Sequence, residues 1–153
     1  MKLRDYRASD TDSLIALFRD TVRTVNAADY SEAQVQAWAP DEIHAEDWRR
    51  RQARNETFVT EIDGTIAGFA ELEDGRHIHM LFVHKNHQGR GVASGLLAHI
   101  EQLAKGRSTS RLSTDASMTA RPFFERRGFA VLEPQTVSLR GQDFRNFRME
   151  KRL

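Results

Sequence analysis

The stretch Val83-His84-Lys85-Asn86-His87-Gln88-Gly89-Arg90-Gly91-Val92-Ala93 joins an apolar strand to an amphipathic helix through a glycine-rich turn. Such a junction presents unpaired backbone N–H groups at the positive end of a helix dipole, which is chemistry suited to a phosphate. Gly89 and Gly91 remove the Cβ atoms that would hold a ligand off the backbone, and Arg90 adds a cation for charge-assisted hydrogen bonds. The plainer alternative is a tight strand-to-helix turn with no ligand. Neither G-x-x-x-x-G-K-[ST] nor G-x-G-x-x-G with a downstream acid is present, which sets aside those two kinds of nucleotide loop.

Just upstream, His77 and His79 alternate on the strand that feeds the turn, so both side chains fall on one face. Imidazole titrates near neutrality, and either ring suits a general base. The alternative is a pair of half-exposed strand residues. No spacing supplies a third ligand to make His77-x-His79 a metal site, and His44, His84, His87 and His99 are scattered. Ser117 and Thr119 precede a helix that holds Pro122 in its first turn. Thr119 reads as the cap, which leaves Ser117 free to meet a ligand. Phe123, Phe124 and Phe129 suit a core or a cofactor wall better than a base-stacking set. Trp38 and Trp48 read as pocket walls or helix anchors, and Arg49-Arg50-Arg51 as a solvated helix face.

These residues need a scaffold, and the pattern supplies one. Leu3 to Arg7 is extended. Ser9 or Asp10 caps a helix whose apolar stripe is Leu14, Leu17, Phe18, Thr21, Val22 and Val25. Ser31 with Gln34 forms a capping box for a second helix ending near Pro40, and a polar helix follows over 41–54. Strands over 57–62 and 65–72 flank Asp63-Gly64, and a third runs over 77–83. The helix over 92–105 carries Ala93, Leu96, Leu97, Ile100, Leu103 and Ala104 on one face and stops at Gly106. A strand over 111–115, a short helix ending at Gly128, and strands over 131–139 and 144–150 around Arg140-Gly141 complete the chain. The order predicts an α/β (α+β) fold: one domain over 1–153, with a mixed, mostly antiparallel sheet of six to seven strands and helices on both faces.

Composition is that of an ordinary globular domain, with 39% hydrophobic and 29% charged residues in 153. The balance of 23 Lys and Arg against 22 Asp and Glu gives no electrostatic footprint for nucleic acid or an anionic membrane. No run reaches the roughly 18 apolar residues of a membrane span, and the polar N-terminal residues lack a signal-peptide pattern, so a cytoplasmic protein is expected. The absence of cysteine excludes disulfides and thiolate chemistry.

Gln88-x-x-Gly91-x-Ala93 after a strand resembles the Q/R-x-x-G-x-G/A signature with which GNAT acetyltransferases hold the pyrophosphate of acetyl-CoA. Ala120-Arg121-Pro122-Phe123-Phe124-Glu125-Arg126-Arg127-Gly128-Phe129 resembles that family's late helix, which flanks the pantetheine arm. Tyr30, Ala37-Trp38-Ala39-Pro40, Pro122-Phe123-Phe124 and Met149-Glu150-Lys151 make the chain similar to small bacterial enzymes of the YafP type.

The resemblance implies an acetyl-CoA-dependent N-acetyltransferase acting on a primary amine by direct attack, with no metal. It implies a cofactor site of Leu81, Phe82, Val83, Gln88, Gly89, Arg90, Gly91, Val92, Ala93, Ser94, Ser117, Phe123 and Phe124, in which the Val83 N–H meets the thioester carbonyl. It counts His77, or His79 two residues on, as the base, and Tyr30 as an acceptor-binding or proton-donating residue. The family often forms homodimers, while the residues themselves leave the oligomeric state open. At the position of the usual general-acid tyrosine stands Phe124, which has no proton to give. That departure keeps a non-catalytic acyl-CoA-binding or sensing module as the alternative. A third reading, an RNA-associated protein, is disfavoured by the near-neutral charge.

Overall fold

The computed structural model describes residues 1–153. Strand β1 (Lys2–Asp5) leads into helices α1 (Thr11–Thr24), α2 (Glu32–Trp38) and α3 (Ala45–Arg54). Strands β2 (Glu56–Ile62), β3 (Thr65–Glu73) and β4 (His77–Val83) come next, then α4 (Val92–Gly106), β5 (Arg111–Ser117), α5 (Arg121–Arg126), β6 (Ala130–Leu139) and β7 (Gln142–Arg152). The seven strands make one sheet in the order β1-β2-β3-β4-β5-β7-β6. No helix is long and apolar enough to cross a membrane.

The local signals act as expected at the turns. Asp63-Gly64 and Arg140-Gly141 both hold positive φ and close two-residue hairpins. In the α2 capping box, the Ser31 hydroxyl accepts from the Gln34 N–H at 3.1 Å, and the Gln34 side chain accepts from the Ser31 N–H at 2.8 Å. The helix expected over 41–54 begins only at Ala45. Arg19 and Arg23 of α1 explain the delay: their guanidinium groups hold the carbonyls of Ala39, Pro40 and Asp41 in an extended connection.

Helices α4 and α5 cover one face of the sheet, burying Leu96, Leu97, Ile100 and Phe124 against Leu72, Ile78 and Leu112. The other face carries α1–α3, with Leu14, Phe18, Val22 and Trp48 against Val59 and Phe69. Arg51 departs from the solvated face expected of its run. It makes a bidentate pair with Glu71, whose side chain is fully buried, at 2.8 and 3.1 Å, and lies over the Trp48 ring.

Two irregularities of the sheet shape the region between β4 and β5. All neighbouring strands run antiparallel except β4 and β5, which run parallel and pair only at His77–Ser113 and Ile78–Thr114. Beyond Ile78 the two strands diverge. The β3–β4 register also slips, Leu72 facing Ile78 and Glu71 facing Met80, so His79 is an extra residue in a β-bulge. After the bulge, Met80 and Phe82 face α1 while Leu81 and Val83 face α4.

Candidate active site

The divergence of β4 from β5 opens a cleft through the sheet. The His84 N–H donates to the Ala67 carbonyl at 2.8 Å, which makes that pair hydrogen-bonded. Antiparallel ladders alternate, so Val83 opposite Gly68 and Leu81 opposite Ala70 are non-hydrogen-bonded pairs. Their backbone groups therefore point away from β3, toward the side where β5 has left. The Val83 carbonyl is met there by the Thr21 hydroxyl at 3.1 Å and the Gln88 side-chain amide at 2.7 Å. The Leu81 and Val83 N–H groups face the cleft. Phe82 differs: its backbone is spent on β3, and its ring packs toward α1 at 5.1 Å from Phe18.

At the head of the cleft, Gly91 precedes α4 at φ 80° and Gly89 lies at φ 74°. A Cβ at either position would meet no protein atom within 4 Å, so backbone conformation and open approach, not internal packing, call for glycine. None of the consecutive N–H groups from Gln88 to Ser94 has a partner within the protein. The Val92 side chain is buried beneath them, against Gly68, and only its backbone serves the loop. Arg90 is exposed at the rim. A second cation, Arg127, lies 3.9 Å above the Phe123 ring and donates to the Ser94 hydroxyl. Sequence reasoning missed Arg127 because nothing local joins the end of α5 to the start of α4.

A cavity of about 470 Å³ runs from this loop through the cleft. On the α4 side its wall includes Leu81, Ala93, Ala116, Phe123 and Phe124, and on the α1 side Trp38, Tyr30, Phe82 and Phe144. Phe124 is buried edge-to-face between Phe123 and Phe129. Ser117, expected to be free, caps the turn before α5: its oxygen accepts from the Ala120 N–H at 3.0 Å. Capping uses the oxygen and leaves the hydroxyl proton available to the cavity. Thr119, expected to cap, donates to Asp29 at 2.7 Å, a long-range partner that outcompetes the local one.

The two histidines part company. His79 lines the cavity, its ring open to the cleft, and the crowding of protein around it pushes its pKa below the ordinary 6.5 while Glu71 partly opposes the shift. His77 lies outside the cavity, in a polar pocket with Arg76, Arg148 and Glu150. Its Nδ1 is 2.8 Å from the Ser113 hydroxyl and its Nε2 is 3.5 Å from Asp115. The two rings expected on one face line different pockets, and pairing with β5 holds His77 back as a brace. Tyr30 lines the cavity, yet its hydroxyl donates to the Arg145 carbonyl at 3.1 Å and accepts from the Met118 N–H at 2.9 Å. Its proton is committed and burial raises its pKa, so the expected role as proton donor gives way to that of a tether between α2 and the strand ends. There is no group of three or more His, Cys, Asp or Glu side chains placed to hold a metal.

A family model described as an Acetyltransferase (GNAT) domain matches residues 26–153. The uncharacterized N-acetyltransferase YafP of Escherichia coli strain K12 is 38% identical over 149 residues, covering 97% of this chain and 94% of that protein. The crystal structure of a GCN5-related N-acetyltransferase from Rhodopseudomonas palustris, described as "Aminotransferase, Class-II", superposes with a TM-score of 0.96 at 35% identity, covering 99% of this chain and 95% of that one. The PaiA N-acetyltransferase of Thermoplasma acidophilum, solved in complex with coenzyme A, shares the fold with a TM-score of 0.80 at 18% identity over 99% of this chain and 98% of that one.

Proposed function

The chain belongs to the GNAT acetyltransferase family, and we propose that it transfers an acetyl group from acetyl-CoA to a primary amine by direct attack. The observation that carries this reading is the joining of two features in one cleft: the unpartnered N–H row from Gln88 to Ser94, and the Val83 N–H freed by the divergence of β4 from β5. The donor set fits the ligand, because a pyrophosphate needs N–H donors and cations, and Arg90 and Arg127 stand at this helix end.

Acetyl-CoA supplies an acetyl group activated as a thioester. The loop and the two arginines hold its phosphates, while Phe123, Phe124 and Ala116 wall its arm from water. The Val83 N–H donates to the thioester oxygen, on which negative charge builds as the amine attacks. His79 takes the proton of the incoming amine, directly or through water, and its lowered pKa keeps it neutral and ready at pH 7. The C–N bond forms, the C–S bond breaks, and the sulfur leaves as a thiolate. Phe124 cannot protonate it and the Tyr30 proton is engaged elsewhere, so water does. A cytoplasmic setting is part of this proposal.

The missing acid favours one rival, a module that binds acyl-CoA without turning it over. Thiol release and acetylated product, measured over a panel of amines, separate the two. Turnover with any amine supports the transferase. Tight acetyl-CoA binding with no turnover across the panel supports the sensing module instead.

A further inference from the structure

The α1 side of the cavity differs in chemistry from its donor side. Trp38 stands edge-on to Tyr30 at 5.3 Å, to Phe144 at 6.1 Å and to Phe82 at 6.4 Å, making a continuous aromatic wall. Val137 and Leu139 of β6 extend this wall to the rim. They are 44% and 36% exposed, and belong to the few large hydrophobic side chains left open to solvent. Leu132 of the same strand is also exposed but lies away from this cavity, so strand position alone does not account for an apolar mouth.

Charge is scarce there. The lining contains no lysine, arginine or glutamate, and Asp115 is its one formally charged side chain. Asp115 sits on β5 beyond the divergence and faces away from the α4 core. Its Oδ1 accepts from the Gln135 amide at 2.9 Å, and its Oδ2 lies 3.5 Å from the His77 ring. The carboxylate is thus held by two neighbours while its side chain borders the cavity and remains 40% exposed. A substrate carboxylate entering the cavity meets no cation, and a second or third ammonium meets no second anion. Either leaves a charge desolvated and unpaired, which is costly.

Resting on the transferase reading above, we propose that the acceptor is an arylalkylamine: one primary ammonium steered by Asp115, carried on a flat apolar body that stacks against Trp38, Phe82 and Phe144. His79, which also lines the cavity, then receives the proton that the nitrogen must lose before it bonds the acetyl carbon. The sulfur departs as the thiolate of coenzyme A and takes its proton from water.

The test compares phenethylamine and tryptamine with phenylalanine, spermidine and a lysine-containing peptide, read both as thiol release and as calorimetric binding to the acetyl-CoA-saturated protein. Phenethylamine and phenylalanine differ only by the carboxylate. The proposal expects kcat/KM for the two arylalkylamines to exceed the others by at least about tenfold, the size of one discriminating charge or apolar contact. It also expects Asp115→Asn to raise their KM by about tenfold, with partial rescue in Asp115→Glu, and Trp38→Phe to preserve binding better than Trp38→Leu. Preferred turnover of phenylalanine, spermidine or the peptide overturns this inference and leaves the transferase reading standing. So does an unchanged KM in Asp115→Asn. If no amine releases thiol, the transferase reading falls, and calorimetry still decides the pocket: absence of saturable phenethylamine binding overturns the inference too.

Discussion

The Gln88 side-chain amide donates to the Val83 backbone carbonyl at 2.7 Å, which ties the glycine loop to the strand end that borders the cleft. One residue of the loop thereby links the row of unpartnered N–H groups to the backbone of Val83. Replacing Gln88 by Ala leaves that carbonyl with Thr21 alone. The expected outcome is a rise in KM for acetyl-CoA of about tenfold, equivalent to one hydrogen bond of roughly 1.4 kcal/mol. Folding stability is expected to fall by about 0.5–1.5 kcal/mol, the worth of one intramolecular hydrogen bond, which urea unfolding checks.

As the proposed base, His79 gives the activity a directional pH dependence. Burial holds its pKa below the ordinary 6.5, so the neutral base persists to lower pH than in a free histidine. The kcat/KM profile is expected to rise through a limb below pH 6.5 and stay flat above it through neutrality. His79→Ala is expected to lower kcat/KM and abolish that limb. The same shift has a stability counterpart. The unfolded chain takes up this proton first, so stability present above 6.5 erodes as pH falls toward the folded value. In His79→Ala that slope is expected to weaken, which denaturant titration at several pH values checks.

His77→Ala serves as the contrast. It removes a brace to Ser113 and Asp115 and leaves His79 in place. The acid limb is expected to survive in this variant, with the change confined to KM for the acceptor. Loss of the limb in His77→Ala and its retention in His79→Ala would reverse the assignment.

Tyr30→Phe separates a tether from an acid. The variant loses the bonds to Arg145 and Met118 and leaves the Met118 N–H without a partner. A stability loss of about 1–3 kcal/mol is expected in urea unfolding. The alkaline side of the kcat profile is expected to match the parent protein, because in the proposed mechanism the Tyr30 proton stays hydrogen-bonded to the Arg145 carbonyl.

The buried Arg51–Glu71 pair predicts a pattern of non-additivity. Arg51→Met leaves a fully buried carboxylate with only Asn55 to bond it and is expected to cost about 3–5 kcal/mol. Adding Glu71→Gln removes the stranded charge, and the double variant is expected to recover much of the loss. A double variant as unstable as the single would show that the ion pair is not what Arg51 contributes.

What could be read from the sequence was local. The α4 stripe, the hairpin turns, the Ser31–Gln34 box and the strand-to-helix glycine turn each depend on residues a few positions apart, and each stands where the pattern put it. The parts that escaped depend on pairing across the fold. The bulge at His79 arises from the register between β3 and β4, which no residue of β4 announces alone. The withdrawal of His77 to Ser113 requires knowing that β5 lies beside β4, 36 residues away in the chain. Capping passed from Thr119 to Ser117 because Asp29, 90 residues from Thr119, offers it a better partner than the start of α5 does. Arg51 looked solvated because Glu71, the group that buries it, lies on another element.

The enzyme stands or falls on whether the Gln88–Ser94 loop holds the pyrophosphate of acetyl-CoA. Calorimetric titration with acetyl-CoA, ATP and NAD tests this most directly, alongside the variant Gly91→Glu, whose carboxylate would stand against the phosphates at a φ of 80°. Saturable binding of acetyl-CoA alone is expected, lost in Gly91→Glu while a folded far-UV spectrum is retained. Failure of the folded parent protein to bind acetyl-CoA, or equal affinity in the variant, would contradict a phosphate-holding loop.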